Sequence, residues 1–122
     1  MSTFNIGREF SLNPEGRFYT DGEGNGEDFR ENHLRPRLER LAPNEKLEVI
    51  IDDDVDGYGS SFLTEGFAGI VKYGYMTSEE LLSKLDIKLE NDEYDFFRKK
   101  ILEYIRDAKF DSEEYIDSRT QI

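Results

Sequence analysis

The amino-acid sequence predicts an α/β sandwich, a small mixed sheet with helices on one or both of its faces. Three observations lead there. Segments of strand-like patterning alternate with segments of helical spacing, in the order strand, strand, helix, strand, helix, short helix, strand, helix. Leu47, Val49, Ile50 and Ile51 form a short apolar run of the kind found in a strand buried on both faces. Nine Phe and seven Tyr bring enough apolar surface to pack a core, although 36% of the residues are charged. With 122 residues and no repeat or linker, the chain reads as a single domain over 1–122. Its parts are a hairpin over about 4–20, a core over about 27–108 and a polar tail over about 111–122.

Phe4, Ile6, Phe10 and Leu12 alternate with polar residues, Arg8 standing where another apolar residue would fit. Asn13-Pro14-Glu15-Gly16 reads as a turn, and Arg17 to Thr20 as the returning strand of the hairpin. A glycine-rich stretch from Asp21 leads into Phe29, Leu34, Leu38 and Leu41 at near-helical spacing. Because Pro36 removes a backbone donor, that helix is expected to run to about Leu34 and to kink or restart there. The strand carrying Val49 to Ile51 is the expected centre of the sheet. After it, Ser60 or Ser61 stands at the N-cap position of a helix with Phe62, Leu63, Phe67, Ile70 and Val71. Gly66 and Gly69 lower its propensity but permit close approach of a neighbour.

Thr77-Ser78-Glu79-Glu80 is a capping-box pattern opening a short helix through Leu85, and Ile87 and Leu89 suggest an edge strand. The last helix carries Tyr94, Phe97, Ile101, Tyr104 and Ile105 on one face, with early acids and late bases that complement its dipole. Residues from Asp111 onward are polar and expected to fray.

A formal charge of −12 argues against direct nucleic-acid binding, which needs clustered Lys and Arg on phosphates. It suits a partner with a basic face, or an inhibitor that imitates a phosphate backbone. The absence of Cys excludes disulfides, thiolate catalysis and zinc sites built on Cys, and His33 alone cannot make a multi-His zinc centre. No apolar run reaches membrane-spanning length and the first residues lack signal-peptide character, so a cytoplasmic location is the expectation.

The stretch IIDDDVDGYGSSF, Ile50 to Phe62, concentrates the candidate chemistry. Asp52, Asp54 and Asp56, followed by Gly57, match the opening of a calcium loop. Leu63 stands where the closing bidentate Glu belongs, and a strand rather than a helix precedes, which leaves a looser divalent-cation site as an alternative. An aspartyl phosphotransferase would need a lysine and further acids on later strands, and the glycine-rich DGEGNGED lacks the lysine of a phosphate loop. With neither a nucleophile–base pair nor a complete metal set, no enzyme is expected and no other cofactor. The serine pair remains. A serine at a helix start is a cap worth about 1 kcal/mol; the same place also suits a phosphate, because free amides and the positive dipole end meet there.

These residues resemble a known family. VIIDDDVDGYGSSFLTEGFAGIV is similar to the strand, turn and helix of the STAS superfamily of sulfate transporter and anti-sigma factor antagonist domains, and more closely to its STAS-like branch of unknown function. Asp52, Ser61-Phe62, Glu65 and Phe67 carry the likeness, with the upstream GRFYTDGEGNGEDFRENHLRPRL. The resemblance implies a four- or five-stranded mixed sheet flanked by helices, in a bacterial or phage regulator that docks on other proteins. In anti-sigma antagonists the partner is an ATP-binding serine kinase that phosphorylates a serine at this helix start. The alignment puts that acceptor at Ser60, while Ser61 is the serine matching the closer branch. Ser60, Ser61, Tyr58 and Glu65 are accordingly the expected phosphorylation or docking residues.

Overall fold

The structure, a computed structural model, describes residues 2–120. Strands β1 (Ser2–Asn5), β2 (Leu47–Ile50) and β3 (Leu85–Lys88) form a parallel sheet in the order β1-β2-β3. Phe4 lies opposite Val49 and Val49 opposite Ile87, so one apolar row crosses the sheet. The expected central strand and edge strand are therefore in place. Among the described residues, however, the sheet has three strands rather than four or five and is parallel rather than mixed.

β2 is also not buried on both faces. Leu47, Val49 and Ile51 are buried, whereas Glu48 and Ile50 are half-buried and Thr3 and Lys88 beside them are exposed. The helices cover one face, and the period of two sends alternate residues to the open one.

The expected hairpin over 4–20 does not form. β1 ends at Asn5, whose side chain accepts the Arg8 amide (3.1 Å) while Glu9 accepts the Asn5 amide (2.6 Å), and α1 (Ile6–Glu9) is a single helical turn. Residues 11–18 hold no strand, and Tyr19–Asp21 is a 3₁₀ turn. The partner of β1 is β2, more than 40 positions away. The gap in alternation around Arg8 marks a close approach, since a Cβ on Gly7 would overlap the Asp53 carbonyl.

Two long helical runs pack on the covered face. The first comprises α2 (Gly26–Asp28), a π turn (Phe29–Leu34) and α3 (Arg35–Glu39), and the Asn25 side chain caps it by accepting the Asp28 amide (2.8 Å). The expected restart at Pro36 takes the form of a π turn ending at Leu34: the Arg35 amide reaches back to the Arg30 carbonyl, and the widened turn brings Pro36 to the start of α3, where its missing N–H is tolerated. The second run comprises α4 (Ser60–Leu63), a π turn (Thr64–Ala68) and α5 (Gly69–Lys72). The runs cross at glycine: a Cβ on Gly26 would lie 2.9 Å from the Phe62 carbonyl oxygen, and one on Gly66 2.8 Å from the Phe29 ring. Phe29 is thereby seated against Phe4, Phe62 and Phe67, with centroids 5.7, 5.1 and 5.0 Å away.

α6 (Ser78–Lys84) opens with the expected Thr77–Glu80 capping box, and α7 (Asp95–Asp107) buries Ile101 and Ile105 on its expected face. The polar tail does not fray over its described length. The Asp111 and Glu113 amides donate to the carbonyls of Val71 and Lys72 at the end of α5 (2.9 and 3.1 Å), supplying partners that helix ends lack. Met1, Gln121 and Ile122 lie outside the described residues.

Candidate functional site

Because all three strands run the same way, their carboxyl ends meet at one edge, where α/β proteins place ligand and partner sites. An open cleft of about 650 Å³ lies there, lined by Asn5, Arg8, Asp52, Asp53, Asp54 and Lys88 among others. The aspartates have separate roles in it. One oxygen of Asp52 accepts the amides of Glu90 and Asn91 (2.6 and 2.8 Å), tying the exit of β2 to that of β3. Asp53 accepts from the Asn5 amide group (2.8 Å) and from Arg8 Nε (2.6 Å), and these hydrogen bonds hold its carboxyl below the usual range while raising the Arg8 pKa. Asp54 sits at φ +61°, which aspartate tolerates, and both Asp54 and Asp56 are exposed. Among the described residues no group of three or more acidic or histidine side chains is placed to hold a metal ion.

Tyr58 is buried rather than displayed. Its hydroxyl donates to the Ile51 carbonyl (2.6 Å), its ring packs on Phe62 and Phe97, and burial pushes its pKa up. Tyr94 similarly donates to the Val55 carbonyl. Two tyrosines thus fasten the loop from both sides and fix where the next helix begins. Ser60 and Ser61 are exposed there, but neither is the cap. Gly59 holds that position with an extended backbone and no capping side chain, so the serines are the first two helical residues.

Glu65, the remaining expected docking residue, is fully buried. It accepts Arg30 Nη1 (2.8 Å) and the Tyr73 hydroxyl (2.6 Å), and Arg30 Nη1 also bonds the Glu65 carbonyl (2.8 Å). Arg30 is fully buried too, bonded to Glu31 through Nε (2.7 Å) and flanked by the Tyr73 and Tyr115 rings at 4.5 and 4.8 Å. Burial opposes its charge, and the two carboxylates outweigh burial and raise its pKa. Nearby, Glu27 accepts the Tyr115 hydroxyl, the Ser118 amide and hydroxyl and the Tyr19 amide. Burial works against its charge, yet these bonds bring its pKa below the ordinary value. Tyr73 and Tyr115 were not marked by sequence reasoning, and Glu27, Arg30 and Glu31 entered it only within the upstream stretch that carries the family likeness. One signal was available: Arg30 precedes Leu34 and Leu38 by four and eight positions, a charge on an apolar helical row.

A small α/β layer, with a central strand leading through a fastened loop to serines at a helix start, is consistent with a STAS-like domain. The chain belongs to the family of STAS-like domains of unknown function, whose model matches residues 25–95, spanning both helical runs, β2 and β3. The resemblance read from the sequence is thus borne out at the level of the family. No curated protein and no solved structure matches the chain. No helix among the described residues is long and apolar enough to cross a membrane.

Proposed function

We propose that the chain is a non-catalytic regulatory module that docks on another protein through the surface around Ser60 and Ser61 and the exposed acids Asp54 and Asp56. The observation that carries this reading is the exposure of both serines at the start of a helical run whose cap, Gly59, brings it no side chain. Amides at such a start and the dipole behind them favour an anionic group. Phosphorylation would add roughly −1.5 to −2 charges beside acids already present and change the face a partner meets. In this reading the partner is of the ATP-binding serine kinase type, as the likeness to anti-sigma factor antagonists implies, in the cytoplasm of a bacterial or phage-infected cell.

Native mass spectrometry of the tagged protein isolated from its own cells, with peptide mapping across residues 50–72, tests the reading. The expected result is a co-isolated ATP-binding protein and phosphate on Ser60 or Ser61. A folded Ser61→Asp variant should then shift the affinity for that protein by about tenfold or more. Unaltered binding by this variant would count against the serine face.

A second reading rests on the acid-lined cleft, where Asp52, Asp53 and Asp54 meet Glu48 and Glu90. In it the chain is an acidic inhibitor occupying a basic site on a target protein, and many carboxylates rather than the serines carry the binding.

A further inference from the structure

Away from the serine face, the C-terminal segment lies across the buried ionic cluster of the two helical runs. Tyr115 donates its hydroxyl to Glu27 (2.7 Å), and Ser118 donates both its hydroxyl (2.6 Å) and its amide (3.1 Å) to the same carboxylate. The Tyr115 ring flanks Arg30, and Arg119 stacks on Tyr19 at 3.8 Å. This attachment is polar. Residues 110–120 add nothing to the buried apolar core, and Phe110 and Ile116 remain 53% and 52% exposed.

Beneath the segment, Arg30 Nη2 is buried without a hydrogen-bond partner, and Glu65 Oε1 has only the long ion pairs to Arg17 and Lys72, both at 3.8 Å. Native interiors leave few such groups, so donor capacity of Arg30 remains beside the segment. An open groove of about 390 Å³ continues the seat, lined by Phe18, Thr20, Tyr73, Glu114, Ile116 and Ser118. The match to the family model ends at residue 95, before the strap begins.

We propose that Glu27, Arg30 and Tyr73 form a peptide-docking seat, occupied in this chain by its own Tyr115-Ile116-Asp117-Ser118. Its ligand in trans is a basic segment of a partner protein carrying the same Tyr-x-x-Ser pattern. The charge balance selects that partner. Residues 111–120 hold Asp111, Glu113, Glu114 and Asp117 against Arg119 alone, on a chain of net charge −12. A segment that keeps the tyrosine and serine but carries Lys or Arg around them retains the contacts and reverses the long-range repulsion. The strap competes through its high local concentration rather than through fit.

The test uses the full chain and two labelled peptides. One has the sequence of residues 110–120 with its acids replaced by Lys, and the other also has Ala for Tyr and Ser. The first peptide should saturate the full-length Tyr115→Ala/Ser118→Ala variant and bind the wild type at least about tenfold more weakly. The second should bind neither. The proposal is overturned if the folded variant fails to bind, or if it binds both peptides alike.

Hydrogen exchange on the unmodified protein provides an independent check. The Asp111, Glu113 and Ser118 amides should exchange about a hundredfold or more faster than those of Ile101 and Ile105, showing that the strap lifts from an intact fold. Equal protection, or a double variant unable to fold, would make the strap part of the fold and overturn the proposal. A wild-type dimer that dissociates on Tyr115→Ala/Ser118→Ala would assign the seat to a second copy, and would likewise overturn the partner segment.

Discussion

Arg30 brings a full charge into the interior, where desolvation opposes it and only its partners make the position tolerable. Replacing it with an apolar residue removes the guanidinium but leaves the buried Glu65 and the nearly buried Glu31. Arg30→Met is therefore expected to lower the unfolding free energy by about 3–5 kcal/mol, measured by urea denaturation. A loss under about 1 kcal/mol would mean that water reaches the carboxylates and that the cluster is not sealed. His33 offers a second test. It is half-buried against the rings of Phe4 and Phe10 (6.2 and 4.8 Å), and burial lowers its pKa from 6.5. The folded chain thus binds the proton less readily than the unfolded one, so stability present above 6.5 is lost as pH falls through that value and below. Melting temperature should decline from about pH 7 to about pH 5, and His33→Gln should flatten that part of the profile. An unchanged slope in the variant would assign the decline to other groups.

At the scale of elements, the contrast between α6 and the two crossing runs separates local from tertiary control. Thr77→Ala removes a cap at an exposed helix start and should cost about 1 kcal/mol. Gly66→Ala places a methyl group against the Phe29 ring inside the core and should cost about 1–3 kcal/mol, although alanine is the better helix former. Equal or reversed effects in chemical denaturation would show that the crossing can relax. The same contrast explains what was legible in the sequence. The capping box, the apolar face of α7, the central position of β2 and the edge position of β3 are local patterns and were read correctly. The hairpin was misread because Phe4 to Leu12 alternates equally well for a near partner or a distant one. The restart at Pro36 was legible from the proline, whereas the π turn that carries the backbone into it has no local signature. For the site, the chain order placed the acidic knot at the end of the central strand. Whether Tyr58 and Glu65 point inward depends on Ile51, Arg30 and Tyr73 across the fold, and no spacing rule exposes that.

The whole molecule stands one layer of helices on a parallel sheet whose other face meets water. Parallel sheets are commonly covered on both faces. Here the uncovered side carries Thr3, Asn5, Glu48, Asp86 and Lys88 around the half-buried Ile50, a polar surface that can remain solvated. With a net charge of −12, partner engagement through the many carboxylates of the cleft should weaken steeply with ionic strength, whereas engagement through the serine face, with only Asp54 and Asp56 beside it, should weaken less. Titrating sodium chloride into a preformed complex distinguishes the two readings: a collapse of affinity between about 0.05 and about 0.5 M supports the acidic inhibitor, and a shallow response supports the serine face.

The parallel sheet also dictates when the molecule can fold. Ser2 pairs with Leu47 across 45 positions, and Leu47 with Leu85 across 38, so neither ladder is joined by a tight turn. Each closure carries the entropy of a long loop before any contact rewards it. During synthesis β1, made before its partner, has nothing to pair with until β2 has left the ribosome, and the ladder between β2 and β3 waits for residue 88. The helical turns, whose internal hydrogen bonds are local, are available to form first, and β1 joins as a late addition although it is made before them.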